Sequence, residues 1–177
     1  MRDLQTWEQR ARPKILQQLP PRLREDVIRY KPPNNNPISY YIYGGLGTGK
    51  TVIAAQLWLK AQQKKYLEAS PGKIIFISVP EFFVELKATY SNPDKEELVV
   101  LAKYSEAEFL VLDDLGAERS TEWVMSMLYL LINRRYENKL TTVITSNYDL
   151  DELGEKLGDY RIPSRIQRMC KILKLKL

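Results

Sequence analysis

The 177-residue chain fits one compact domain, or one domain with a short extra arm, and its 44% hydrophobic and 28% charged residues suit a folded core with a soluble surface. One cysteine (Cys170) and no histidine exclude disulfide scaffolds, Ser-His-Asp hydrolases and zinc hydrolases. The net charge of +5 is uneven: residues 1–31 carry eight Lys/Arg against four Asp/Glu, residues 161–177 carry six against none, and the middle is left at −5.

In chain order, residues 1–37 read as a basic, proline-rich arm and linker. Prolines at 13, 20, 21, 32, 33 and 37 cut it into short pieces, with a turn or two of helix between Leu16 and Tyr30 and a linker over Pro32–Pro37. From residue 38 onward the pattern becomes regular. Apolar, β-branched runs at Ser39–Tyr43, Lys73–Val79, Phe109–Asp113, Leu140–Ser146 and Lys171–Leu177 predict strands. Helical periods at Lys50–Gln63, Glu81–Tyr90, Lys95–Tyr104, Glu122–Asn138 and Leu150–Leu157 fall between them. Pro80, Thr121 and the Asp149/Glu152 pair mark helix starts. Strand–helix alternation with nearly continuous apolar strands predicts an α/β fold, a parallel sheet covered on both faces. In the last run Lys174 and Lys176 alternate with Leu173, Leu175 and Leu177, as in an edge strand with one wet face. No apolar run approaches the ~20 residues that cross a bilayer, and the first residues lack a signal-peptide core. A cytoplasmic protein without a membrane partner is therefore expected.

The strongest motif is Gly44-Gly45-Leu46-Gly47-Thr48-Gly49-Lys50-Thr51, a complete G-x-x-x-x-G-K-[ST] loop between a predicted strand and a predicted helix. Its glycines let backbone amides turn toward phosphate oxygens at a helix N-terminus. Lys50 is placed to reach the β- and γ-phosphates of ATP, and the Thr51 hydroxyl to ligate Mg²⁺. Phe109-Leu110-Val111-Leu112-Asp113-Asp114 supplies a second element, an apolar strand ending in two carboxylates. Asp113 is the candidate for the Mg²⁺ shell and Asp114 for the general base that polarises the attacking water; two solvated aspartates at a strand end are the alternative. Asn147, after the Leu140–Ser146 strand, either orients that water or simply ends the strand. Arg161, Arg165 and Arg168 form either a basic solvated helix or the source of an arginine finger. Lys87, Thr89 and Tyr90 combine a charge with an aromatic platform suited to single-stranded DNA, or else form a capped helix end. Trp58, Tyr66, Phe82, Phe83, Trp123 and Tyr129 lie at helical spacing beside aliphatic residues, and most read as core.

Taken together, the Gly44–Thr51 loop, Leu112-Asp113-Asp114-Leu115-Gly116-Ala117-Glu118 and Thr145-Ser146-Asn147 resemble the AAA+ ATPase domain of the DnaC/DnaI helicase-loader and IstB group, over roughly residues 38–177. The resemblance implies an ASCE-type P-loop NTPase core with five parallel strands in order 5-1-4-3-2 and no lid domain within these residues. It implies sensor 1 at Asn147 and an arginine finger at Arg165, with Arg161 second, acting on a neighbouring subunit's ATP and hence self-association. It also implies a helicase loader that hydrolyses ATP with Mg²⁺ and engages single-stranded DNA and a replicative helicase. The 37 residues ahead of the core are too few for a separate helicase-docking domain with its own core. An IstB-like transposition helper, or a nucleotide-binding scaffold or decoy docking on a helicase or loader, are the alternatives.

Overall fold

In the computed structural model, which describes residues 3–29, 38–91, 96–119 and 121–176, five parallel strands form one sheet. They are β1 (Tyr40–Tyr43), β2 (Ile74–Ser78), β3 (Phe109–Leu115), β4 (Thr141–Ser146) and β5 (Lys171–Lys174), in spatial order β2-β3-β4-β1-β5. This is the expected 5-1-4-3-2 order read from the opposite edge. β5 pairs with β1 alone, so the Lys/Leu alternation does mark an edge.

The two-residue period of the strands divides the interior. Tyr41, Ile77, Leu110, Leu112 and Ile144 project into one core. That core is covered by α5 (Val79–Lys87), α6 (Glu97–Ser105), α7 (Glu122–Glu137), α8 (Leu150–Leu157) and α9 (Arg161–Met169). Tyr40, Ile42, Phe109, Val111 and Val143 project into the other, beneath α4 (Lys50–Glu68). The predicted start signals act as expected. Thr121 caps α7, Asp149 and Glu152 close a capping box on α8, and Pro80 lies in the first turn of α5 behind a Ser78–Glu81 box.

Several stretches differ from the sequence reading. α4 continues to Glu68, and β3 runs past Asp113 to Leu115 through a register shift. β5 ends at Lys174, short of the run predicted to Leu177. The basic helix that precedes it, α9, is not fully solvated: Ile162 and Ile166 are buried on successive turns, with Pro163 tolerated in the first turn. At the N-terminus helix is present between Leu16 and Tyr30 as expected, but it also extends ahead of Leu16, and the prolines open helices. α1 (Leu4–Thr6), a π turn over Trp7–Ala11, α2 (Arg12–Leu16) and α3 (Pro21–Arg29) follow one another, with Pro13 and Pro21 in first turns. The Arg24 guanidinium ties the α2–α3 turn by donating to the carbonyls of Leu16 (3.1 Å) and Leu19 (3.0 Å). Trp7 is 1% exposed and packs on Tyr66 of α4 at 5.5 Å, while Leu16, Leu19 and Val27 enter the α4-side core. The segment binds because α4 would otherwise leave apolar surface wet, each buried large side chain contributing about 1.5–3 kcal/mol. The predicted linker Pro32–Pro37, Lys95 and Leu177 lie outside the described residues.

At the amino ends of the strands, Arg135 of α7 is fully buried. Its Nε donates to the Thr142 hydroxyl (2.9 Å), Nη1 to the carbonyls of Tyr104 and Ala107 (both 2.8 Å), and Nη2 to the Thr141 carbonyl (2.7 Å). Burial pulls this guanidinium down to about 10. One side chain thus fastens α7, the C-terminal end of α6 and β4 together at the amino end of the sheet.

Candidate functional site

The Gly44–Thr51 loop leaves the carboxyl end of β1 and runs into α4 at Lys50. Gly44 has φ +151°, and a Cβ there would stand 2.3 Å from the Leu175 carbonyl oxygen, so the loop can pass the edge of the sheet only with glycine. Lys50 is buried, and its Nζ donates to the carbonyls of Gly44 (2.9 Å) and Gly45 (2.7 Å). Burial lowers its affinity for the proton, and the charges of Asp114 and then Asp113 oppose that shift.

Opposite the loop, β3 ends in the acidic pair. Asp113 accepts hydrogen bonds from the Thr51 hydroxyl (3.0 Å to Oδ1, 3.1 Å to Oδ2) and the Thr145 hydroxyl (2.7 Å). Burial raises its pKa above the ordinary value, and these two hydroxyls counter the shift in part. Asp114 has φ +64°, inside the register shift between Leu112 and Leu115. An L-residue in that conformation carries strain, and a bulge at a strand end re-aims a side chain. The strain is held by Thr145, whose hydroxyl accepts from the Asp114 N–H (2.8 Å) while donating to Asp113. Asn147 donates from Nδ2 to the Asp114 carboxylate at 3.3 Å. Loop, threonine, both carboxylates and asparagine therefore converge at the carboxyl ends of adjacent strands, where open α/β sheets bind ligands.

Thr51 and Asp113 offer hard oxygen donors to one point, which suits Mg²⁺: this ion takes one or two protein oxygens and completes its shell with water and phosphate. Among the described residues no group of three His, Cys, Asp or Glu is placed to hold a metal without such help. On the outer side of the loop a cavity of about 450 Å³ lies between α3 and α4, lined by Asp26, Gly47, Thr48, Gly49, Val52, Ile53 and Gln56. Leu46, at the tip, is 81% exposed.

Other predicted residues lie apart from this cluster. Arg165 of α9 donates from Nε to the Asn133 side-chain oxygen and from Nη2 to the Tyr129 hydroxyl (2.8 Å), both on α7. Arg161 is exposed and forms an ion pair with Asp159 (2.7 Å). Thr89 is buried and donates to the Leu86 carbonyl (2.7 Å), so it closes its own helix end and offers no hydroxyl to a ligand. Lys87 and Tyr90 are exposed, the Tyr90 ring resting on Trp123 at 5.9 Å. Of the aromatic residues read as core, Trp58, Phe82 and Phe83 are buried, and Tyr66, Trp123 and Tyr129 are partly so.

Two contributors escaped the sequence reading. Thr145 couples the two carboxylates; its place one residue ahead of Ser146 and two ahead of Asn147, at a strand end, was the available signal. Glu118 accepts from the Gly116 N–H (3.1 Å to Oε2), with its carboxyl raised by burial, and so closes the turn that follows Asp114. Gly116, at φ +94°, makes that turn possible, since a Cβ would meet the Tyr148 ring at 3.0 Å.

A P-loop facing a strand-borne acidic pair, with a polar residue ending the strand between them, defines a nucleotide-binding protein with the AAA+ core. The chain belongs to the IstB-like ATP binding protein family, whose match extends over residues 33–176. It is 33% identical over 114 residues to the replicative helicase loader DnaI of Bacillus subtilis (strain 168), covering 64% of this chain and 34% of that protein. It is 30% identical over 126 residues to the insertion sequence IS21 putative ATP-binding protein of Pseudomonas aeruginosa, covering 71% of this chain and 44% of the relative. Among solved structures, the DnaC helicase loader superposes with a TM-score of 0.64 at 26% identity, covering 88% of this chain and 86% of that one. The chain thus spans between a third and a half of the length of these curated relatives. No helix among the described residues is long and apolar enough to cross a membrane.

Proposed function

We propose that this protein is an ATPase of the helicase-loader type, which hydrolyses ATP, self-associates, and engages single-stranded DNA and a replicative helicase in the cytoplasm. The observation that carries the reading is the Thr51–Asp113–Thr145–Asp114–Asn147 chain of hydrogen bonds opposite the phosphate loop. In it the loop amides and Lys50 bind the β- and γ-phosphates, and the cavity lined by Asp26, Val52, Ile53 and Gln56 takes the base. Thr51 and Asp113 would hold Mg²⁺, which when bound neutralises charge on the β- and γ-phosphate oxygens. Asp114 accepts the proton of the attacking water, and Asn147, bonded to that carboxylate, fixes the direction of approach. Charge spreading over the transferring phosphoryl calls for a further cation, and Arg165 of the adjacent subunit supplies it.

DNA contact rests on Lys87 and Tyr90, an exposed cation and ring on one helix end. The similarity to a helicase loader supports the helicase as partner, and the IS21 relative supports a second reading, a helper ATPase acting with a transposase on duplex DNA. The test is steady-state turnover with and without single-stranded DNA, alongside affinities for single-stranded and duplex DNA at one salt concentration. Turnover that rises with single-stranded DNA, and falls about 10³-fold in Arg165→Ala while ATP still binds, is expected. Preference for duplex DNA would favour the transposition helper, and unchanged turnover in Arg165→Ala would remove the finger.

A further inference from the structure

The Arg161, Arg165 and Tyr129 side chains form one cluster between α9 and α7. The Tyr129 ring lies 4.8 Å from the Arg161 guanidinium carbon and 4.7 Å from that of Arg165, so one ring contacts both cations. The remaining partners of the two arginines differ. Arg161 is paired with Asp159, which accepts from its Nε at Oδ1 (3.1 Å) and from its Nη2 at Oδ2 (2.7 Å) in a forked pair. Arg165 feels that carboxylate only at longer range. Arg165 meets no carboxylate among its hydrogen-bond partners: Nε goes to Asn133, Nη2 to the Tyr129 hydroxyl (2.8 Å), and Nη1 to the Arg161 carbonyl (3.3 Å). A guanidinium carries five N–H donors in a fixed plane. Among the described residues three donors are used in this way, which leaves one hydrogen on each terminal nitrogen for a phosphoryl oxygen. Asn133 is itself oriented, its Nδ2 donating to Glu137 (2.9 Å).

We propose that Tyr129 is a positioning residue for Arg165: with Asn133 it grips the inner edge of the guanidinium, so that the charged outer edge is presented to the ATP of the neighbouring subunit. This rests on the reading of Arg165 as the trans-acting arginine. It assigns Arg161 to the support, because its charge is already matched by Asp159 and its guanidinium packs on the same ring. A long, flexible side chain would otherwise lose rotamer freedom on meeting the phosphoryl, and fixing it beforehand removes that cost from the transition state. Tyr129 touches neither nucleotide nor water in this scheme; it acts through Arg165.

The experiment measures kcat and KM for ATP, with single-stranded DNA present, for Tyr129→Phe, Tyr129→Leu and Arg165→Ala in the full chain. Tyr129→Leu is expected to lower kcat by about 10- to 100-fold at unchanged KM, the scale of a misplaced catalytic group. Tyr129→Phe keeps the ring, loses the hydroxyl, and falls between Tyr129→Leu and the unsubstituted protein. Mixing then separates positioning from general damage. Asp114→Asn subunits cannot hydrolyse their own ATP but retain an intact Arg165, so adding them to Tyr129→Leu subunits should restore turnover at the intact Tyr129→Leu sites. A drop in Tyr129→Leu that mixing does not relieve means that the residue acts on its own subunit, and overturns the proposal. Unchanged kcat in both Tyr129 variants, with Arg165→Ala inactive, also overturns it while leaving the finger in place. If Arg165→Ala is itself fully active, the underlying reading fails with it. Tyr129→Phe, which alters no packing volume, carries the test should Tyr129→Leu not fold.

Discussion

Arg135 and Lys50 are both buried cations, set at opposite ends of one sheet, and the chain treats them differently. Arg135, at the amino ends, donates to the end of α6 and to β4 and faces no carboxylate among its partners. Lys50, at the carboxyl ends, donates to two carbonyls of its own loop and feels two aspartates beyond them. At the amino ends the Arg135 donors are met by backbone carbonyls and a hydroxyl. Even so, Lys139, just ahead of β4, has φ +52°, and the buried Ser105 hydroxyl lacks a partner among the described residues. At the carboxyl ends Asp114 is held at φ +64°, and burial raises the pKa of Asp113 above its ordinary value. What sets the carboxyl ends apart is that the left-handed residue there, Asp114, carries a carboxylate, held by Thr145 and Asn147 beside the phosphate loop.

The largest effect that could break this contrast is at Arg135. Arg135→Leu takes the donor from the carbonyls of Tyr104, Ser105, Ala107 and Thr141 and from the Thr142 hydroxyl. It should cost about 3–5 kcal/mol, the scale of a broken buried polar network. Thermal unfolding reads this as a fall of about 10 °C for a chain of this size. An unchanged Tm would mean that Arg135 does not fasten the amino end.

A smaller effect of opposite sign is expected at Asp113. Its pKa in the fold lies above the ordinary 3.8, so the folded state binds the proton more tightly than the unfolded one. The associated stability is fully present below about pH 3.8 and is lost as pH rises through the folded value, leaving the ionised carboxylate a burden at neutral pH. Asp113→Asn should therefore raise stability at pH 7 in Mg²⁺-free buffer by about 1 kcal/mol, with the gain shrinking toward pH 4. A variant less stable than the parent at pH 7 would show that the two threonine hydroxyls, rather than burial, govern this carboxylate.

Much of the site was legible because its chemistry is local. The Gly44–Thr51 spacing is dictated by the phosphate it wraps, and Asp113, Asp114 and Asn147 sit at strand ends that the apolar runs locate. The sheet order followed from the family resemblance, and the edge position of β5 from its alternating lysines. What stayed hidden depends on partners distant in sequence. Trp7 is core only because Tyr66 waits on α4, and Arg135 is a staple only because α6 and β4 bring carbonyls to it. The bulge at Asp114 exists because the Thr145 hydroxyl, 31 residues away, catches its N–H. Tyr129 reads as one more ring at helical spacing until α9 lays two guanidinium groups on it.

We assign the chemistry to the strained Asp114 carboxylate at the carboxyl end of β3 and the binding of nucleotide to the loop. Asp114→Asn tests this assignment most directly, since it keeps the size of the side chain and removes only the base. With Mg²⁺ and ATP, that variant should bind nucleotide as the parent does, and its single-turnover phosphate release should fall by about 10²-fold or more. Release at the parental rate from Asp114→Asn would contradict the account.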